Sequence, residues 1–309
     1  MGGIVAVRPK LSVSMIVRNE QENIAQCLSS VKGADEIVVV DTGSEDETVK
    51  IAENMGAKVF LFPWRDNFAE AYNFADSRCS GDWILSIDAD ERLEEGGIKK
   101  IRKIIKDEQS DYIDCKIEYE KSYHYFPKLI RKTDYNYWIG AAHRTLVGRW
   151  RWNKRDITIY AHRSVSHRKD PDRTLRILKR ELEKYPELLR ERFFYAMELT
   201  VRQKWFEALS QFKIFLSNLS SDWLEEEIKK AHVAEAHLMC AKIYRQLNCM
   251  IESRASAIKA LDIAPEFREA ADYLAFISHG REREEYLMIK KELTNEGVLF
   301  IRRGDWCDA

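Results

Sequence analysis

The chain has 309 residues, 45 % of them hydrophobic, enough for one large domain or two ordinary ones with a buried core. Its 50 basic residues stand against 51 acidic ones, a formal charge of −1, so the composition excludes a general binder of nucleic acid or of anionic membrane. The six cysteines, Cys27, Cys79, Cys115, Cys240, Cys249 and Cys307, show no Cys-x-x-Cys spacing; this argues for reduced thiols in a cytoplasmic setting rather than a disulfide or zinc framework. Arg8, Pro9 and Lys10 interrupt the N-terminus before a signal-like apolar region develops, and no stretch offers ~18 consecutive apolar residues. The expectation is a soluble chain without integral membrane association.

The first third alternates strand and helix signals. "LSVSMIV" (11–17) reads as a strand, and Asn19 with Glu22 as a capping box leading into the helical "NIAQCLSSV". "EIVVVD" (36–41) is a β-branched run typical of a strand covered on both faces, and Ser44 with Glu47 suggests a second capping box. "KVFLF" (58–62), a helix around "AEAYNFADS" and "WILSID" (83–88) continue the series. Such alternation predicts a mostly parallel sheet with crossover helices. Residues 111–167 carry short strand candidates and many aromatics, read as an antiparallel extension with loops beside that sheet.

From Pro171 onward the pattern is helical. Leu175, Leu178 and Leu182 mark one face of a helix that Pro186 ends. Two later stretches resemble each other when Ala196 is set against Ala241, Ala208 against Ser253 and Phe215 against Ala260, as in degenerate tetratricopeptide helix pairs. Pro265 closes the second. The polar "RSVSHRKDPD" (163–172) reads as the linker, dividing the chain into 1–168 and 169–309.

Ligands of open parallel sheets gather outside the carboxyl ends of the strands. Asp41 ends the second strand, while Asp88 and Asp90 end the fourth. Three acids converging there repel one another unless a cation or a set of donors compensates, and Mg²⁺ or Mn²⁺ shared with substrate phosphates fits, because hard cations take oxygen ligands and retain waters. An Asp-x-Asp pair alone is weak evidence, since the pattern also occurs on solvated turns.

Four stretches in order, "SMIVRNEQENIAQCLSSV", "DEIVVVDTGSEDETVKIAENMGAKV", "FPWRDNFAEAYNFA" and "SGDWILSIDADERL", resemble the family 2 inverting glycosyltransferases with a GT-A type nucleotide-sugar domain. The resemblance is narrower still to bacterial members that append tetratricopeptide-like helices, among them peptide and protein glycosyltransferases. It implies an α/β GT-A type domain followed by an all-α domain, and a metal-dependent transfer of a hexose such as glucose from a UDP-sugar to a peptide or protein side chain. By resemblance, Glu20 lies near the nucleoside, Asp41 faces the uracil ring, and Val17 or its backbone helps to hold the base. Asp88 would stand near the ribose or metal, with Asp90 the metal ligand beside the diphosphate. His167 matches a histidine that approaches the metal or diphosphate, and Arg168 or Arg144 is a candidate cation there. A homodimer is expected on the resemblance alone.

Two departures matter. Many relatives have His-Glu where this chain has His143-Arg144, and the glutamate is their candidate general base; its absence leaves the base unassigned, open to His143 or Asp134, or to a thiol acceptor that ionises readily and needs little help. Relatives also often carry Arg-Asn where this chain has Tyr72-Asn73. Each candidate has a plainer reading: Asp41 as a turn cap, the histidines as surface residues, and Trp138, Trp150 and Trp152 as core contacts rather than a sugar groove. At the level of function the competitors are an inactive transferase domain serving as a protein-binding module and a transferase acting on a polysaccharide or lipid end.

Overall fold

The computed structural model describes residues 8–120, 123–148, 151–162, 170–219 and 226–293. The chain forms two compact units, Met1–Arg173 and Thr174–Ala309. The expected boundary after residue 168, His167 and Arg168, Trp150 and Cys307 all lie outside the described residues.

The first unit is built on an eight-stranded sheet in the order β3-β2-β1-β4-β7-β6-β10-β5. Its parallel half comprises β1 (Leu11–Val17), β2 (Glu36–Asp41), β3 (Lys58–Leu61) and β4 (Trp83–Ser86). The crossovers contain α1 (Ile24–Ser30), α2 (Thr48–Asn54) and α3 (Phe68–Arg78). Along β1, Leu11, Val13, Met15 and Val17 pack into one core with Ile24, Cys27 and Leu28 of α1. Alternate residues Val38 and Val40 of β2 pack on the other face with Ala75. Period-two alternation with apolar residues on both sides is what a sheet covered by helices on both faces requires.

The second half is mixed. β5 (Glu91–Leu93) and α4 (Gly97–Asp107) follow β4, then β6 (Tyr112–Glu118), β7 (Tyr123–Arg131) and β10 (Trp152–Ala161) complete the sheet. β7 is antiparallel to both β4 and β6, but β10 runs parallel to β6, so the expected antiparallel extension is only partly antiparallel. β8 (Tyr137–Ile139) and β9 (Thr145–Val147) form a separate hairpin. A Cβ on Gly81 would lie 2.7 Å from both the backbone nitrogen and Oγ of Ser12, so the entry into β4 is closed to any side chain.

Two expected helix caps do not form. Asn19 has φ +56° and its side chain accepts from the Glu45 N–H at 2.8 Å, so it fastens two loops together instead of opening α1. Ser44 likewise accepts from the Asn19 N–H at 2.9 Å rather than capping α2. A cap does form at α3, where Asn67 accepts from the Glu70 N–H at 3.0 Å.

The second unit is helical, with α5 (Arg173–Lys184) starting at the junction of the two units and α6 (Leu189–Val201), α7 (Trp205–Ser217), α8 (Glu226–Gln246), α9 (Met250–Ile263), α10 (Arg268–Ile277) and α11 (Gly280–Glu292) following. All six residues of the proposed repeat alignment, Ala196, Ala241, Ala208, Ser253, Phe215 and Ala260, are fully buried. Gln203 and Asn248 take the same left-handed conformation, φ +57° and +60°, in the α6–α7 and α8–α9 turns. The repeat is therefore present in the backbone as well as in the packing. Among the described residues no helix is long and apolar enough to cross a membrane, and the described cysteines are free thiols.

Candidate active site

Because β2 and β4 both run parallel to β1, with Asp41 opposite Val17 and Ser86 opposite Ser14, their carboxyl ends share one rim of the sheet. Val17 ends β1 there, buried, and its carbonyl accepts both the Thr42 N–H at 2.9 Å and the Thr42 hydroxyl at 3.0 Å. Asp41 is buried too, accepting from the N–H groups of Gly43 and Ser44 at 3.1 Å. Its carboxylate thus shapes the following turn, as the plainer reading expected, while holding its position at the rim. Glu20 accepts from the Asn23 amide at 2.8 Å, and its own N–H donates to Thr48 Oγ1 at 2.8 Å. The loops after β1 and β2 therefore interlock through side chains and form one wall.

The second wall is the turn after β4. Glu91 accepts from the Asp88 N–H at 2.9 Å, and the Glu91 N–H returns to the Asp88 carbonyl at 3.0 Å. Lys128 of β7, almost fully buried, donates to Glu91 at 2.6 Å and to Asp88 at 3.0 Å, and the Tyr72 hydroxyl donates to the other Asp88 oxygen. Burial opposes ionisation of Asp88, but Lys128, Arg144 and Tyr72 outweigh it and hold its carboxyl well below the usual carboxylate range. Glu91 shifts upward, because burial and the Asp88 charge outweigh Lys128. Burial works against the Lys128 charge, yet Asp88 and Glu91 raise its pKa. The chain itself thus supplies the cation that Asp88 needs. Asp90, half-buried in the same turn, is anchored through its carbonyl by the His162 N–H at 3.0 Å.

The third wall is the loop from β8 to β9. Asn73 of α3 grips the backbone of Trp138 at both ends, its amide donating to the carbonyl and its oxygen accepting the N–H, each at 2.8 Å. Trp138 is buried, with its indole N–H on Asp76 at 2.9 Å, a core residue rather than a sugar platform; Trp152 is exposed. The Phe68 N–H holds the Ala141 carbonyl at 2.8 Å, and His143 has φ +50°, a costly conformation for a side chain of its kind. Arg144 follows, its guanidinium carbon 3.6 Å from the centroid of the Tyr72 ring and one nitrogen 3.9 Å from Asp88. The two departures noted in the sequence, Tyr72 and Arg144, are thus in contact with each other.

β7 is antiparallel to β4 and pairs Arg131 with Trp83, so the exposed turn holding Asp134 lies where β4 begins, at the opposite end of that strand from Asp88. Lys128 and Glu91 were not anticipated; a lysine inside the apolar run "YFPKLI" was the signal that could have found the first. Among the described residues no group of three or more His, Cys, Asp or Glu side chains is arranged to hold a metal. Both Asp88 oxygens are engaged by Tyr72 and Lys128, and one further carboxylate in this turn, that of Asp90, would suit Mg²⁺ or Mn²⁺ only when diphosphate oxygens and waters complete the shell.

Among solved structures, that of S. aureus TarS 1–349 matches with a TM-score of 0.45, 16 % identity, and coverage of 92 % of this chain and 90 % of that one. An uncharacterized glycosyltransferase of Rickettsia felis is 49 % identical over 85 residues, 27 % of this chain and 30 % of the relative. A tetratricopeptide repeat-containing protein of Synechococcus elongatus is 48 % identical over 89 residues, 28 % of this chain and 22 % of the relative. The chain therefore spans less than a third of the length of either. The description "Glycosyl transferase family 2" matches residues 12–185, more than half of the chain and the whole of the rim just described. The chain belongs to glycosyl transferase family 2.

Proposed function

We propose that the chain is a metal-dependent inverting glycosyltransferase that moves a hexose, glucose being the first candidate, from a UDP-sugar to a side chain of a peptide or protein. The observation that carries this reading is the convergence of Asp41, Asp88 and Asp90 on one rim of a parallel sheet, flanked by interlocked loops. Glu20, Val17 and Asp41 would border the nucleoside, and Asp88 the ribose. Asp90, with His167, would hold Mn²⁺ or Mg²⁺ against the diphosphate, and Arg168 would add charge. When bound, the cation would neutralise the departing nucleoside diphosphate.

As the anomeric carbon becomes oxocarbenium-like, an acceptor attacking from the opposite face inverts it. His143, one residue from Arg144 and held in a strained conformation, is the candidate to take the acceptor proton. The helix pairs after residue 168 support a polypeptide acceptor, because stacked pairs form grooves suited to extended chains.

The test is incubation with a panel of UDP-sugars, UDP-glucose first, with Mn²⁺ and a peptide library, following UDP release. Asp90→Ala should reduce release by roughly 100-fold or more without changing the melting temperature. No release with any sugar would overturn the reading in favour of a binding module. Release only with a polysaccharide or lipid acceptor would overturn its acceptor half.

A further inference from the structure

The rim concentrates negative charge. Asp41 ends β2 and Asp88, Asp90 and Glu91 follow β4, on either side of β1 at the same rim, and a diphosphate would add more. Lys128 cannot answer it, because its ammonium is buried and already bonded to Asp88 and Glu91. Arg144 is placed differently. Its guanidinium carbon stands 3.6 Å from the centroid of Tyr72, 4.9 Å from that of Trp138 and 5.4 Å from that of Phe126, so three aromatic rings fix the position of its charge. Its nearest carboxylate, Asp88, lies at 3.9 Å, beyond hydrogen-bond reach, with both oxygens taken by Tyr72 and Lys128. Nε and Nη2 of Arg144 are covered and make no hydrogen bond among the described residues, while 14 % of the side chain stays open to solvent.

A cation is costly to bury without a bonded anion. Here the loop that carries it is pinned by the Asn73 grip on Trp138 and the Phe68 bond to Ala141, and strained at His143. Strain and a guanidinium that no carboxylate bonds directly are tolerated at one point when a ligand completes the arrangement.

We infer that Arg144 is a receptor for the donor diphosphate, supplying from the protein a fixed positive charge that acts alongside the metal and persists without it. This rests on the nucleotide-sugar reading above. Tyr72 serves as the stacking platform that holds the guanidinium at the rim, which an isolated lysine on a flexible stem would not reproduce.

The experiment is equilibrium binding of uridine and of UDP to the full chain, each with Mn²⁺ and with EDTA, for wild type, Arg144→Gln and Arg144→Lys. In EDTA the wild type should bind UDP at least ten-fold more tightly than uridine. Arg144→Gln should lose roughly ten- to a hundred-fold in UDP affinity with uridine affinity unchanged, and Arg144→Lys should fall between. Equal losses for uridine and UDP would mean a merely structural residue and overturn the inference alone, as would an undiminished UDP affinity in Arg144→Gln. Should that variant not fold, the wild type in EDTA decides, a lack of preference for UDP over uridine overturning the inference. A wild type that binds neither compound in either condition would overturn the inference together with the donor assignment.

Discussion

Lys128 is the residue on which the rim depends most directly. It lies between the buried Glu91, which closes the turn that presents Asp90, and the partly exposed Asp88, which is held ionised. Lys128→Met would leave both acids without their cation, a change that typically costs 3–5 kcal/mol, roughly, when one partner of a buried pair is removed. Urea denaturation of the variant at neutral pH should show a loss of that size, and a loss below about 1 kcal/mol would mean the acids find other compensation. Asp114 of β6 is the opposite case. Burial pushes its carboxyl up to about 6, and one of its oxygens has no hydrogen-bond partner among the described residues. Since its folded pKa exceeds the ordinary 3.8, its ionisation weakens the fold as pH rises through that interval. Asp114→Asn should therefore stabilise the chain by about 1–3 kcal/mol at pH 7.5 and lose that advantage near pH 3.5, as read from urea melts at both pH values. At this scale the sequence showed which acids end which strands, because strand ends can be read from apolar runs. It could not show that Asp88 is compensated from within, since Lys128 is 40 positions away, nor that Asp134 falls at the opposite end of β4 from Asp88, which follows only from the antiparallel direction of β7.

The parallel strands and their crossover helices were legible in the alternation of β-branched runs with helical ones, a periodicity that single positions do not disturb. The helix starts were not: Asn19 and Ser44 have cap chemistry, but each accepts a backbone N–H from the other's loop instead of one at a helix start. Two carboxylates tie elements together in a way that pH can probe. Against the cost of burial, Glu36 at the start of β2 is held down to about 2 by Lys58, Ser80 and Ser12. Glu108 after α4 is likewise held at about 2, against burial, by Ser110, Arg155 and Asn153. In both, the folded pKa lies below the ordinary 4.5, so their contribution is present above about pH 4.5 and fades as pH falls toward 2. Unfolding free energy should decline across that window, and the double variant Glu36→Gln/Glu108→Gln should flatten the decline. An unchanged slope would mean these two ties do not govern it.

At the scale of the whole molecule, the two units have separate hydrophobic cores, and the helix repeat was readable from small or apolar residues at matching positions, all of them buried. Residues 174–293 expressed alone should melt cooperatively by far-ultraviolet circular dichroism, whereas a gradual loss of helix would mean that this core needs the first unit. In the proposed function, charge gathered at the end of the parallel half of the sheet is shared with a cation and a pyrophosphate. The most direct test of this is the thermal stability of the full chain with UDP, compared in Mn²⁺ and in EDTA, for wild type and Asp90→Asn. At about 100 times the dissociation constant, bound UDP should stabilise the first unit by about 2.7 kcal/mol. The melting temperature should therefore rise by a few degrees in Mn²⁺, by less in EDTA, and in Asp90→Asn by the smaller amount in both. A wild type whose melting temperature ignores UDP, or rises equally with and without the cation, would contradict the account.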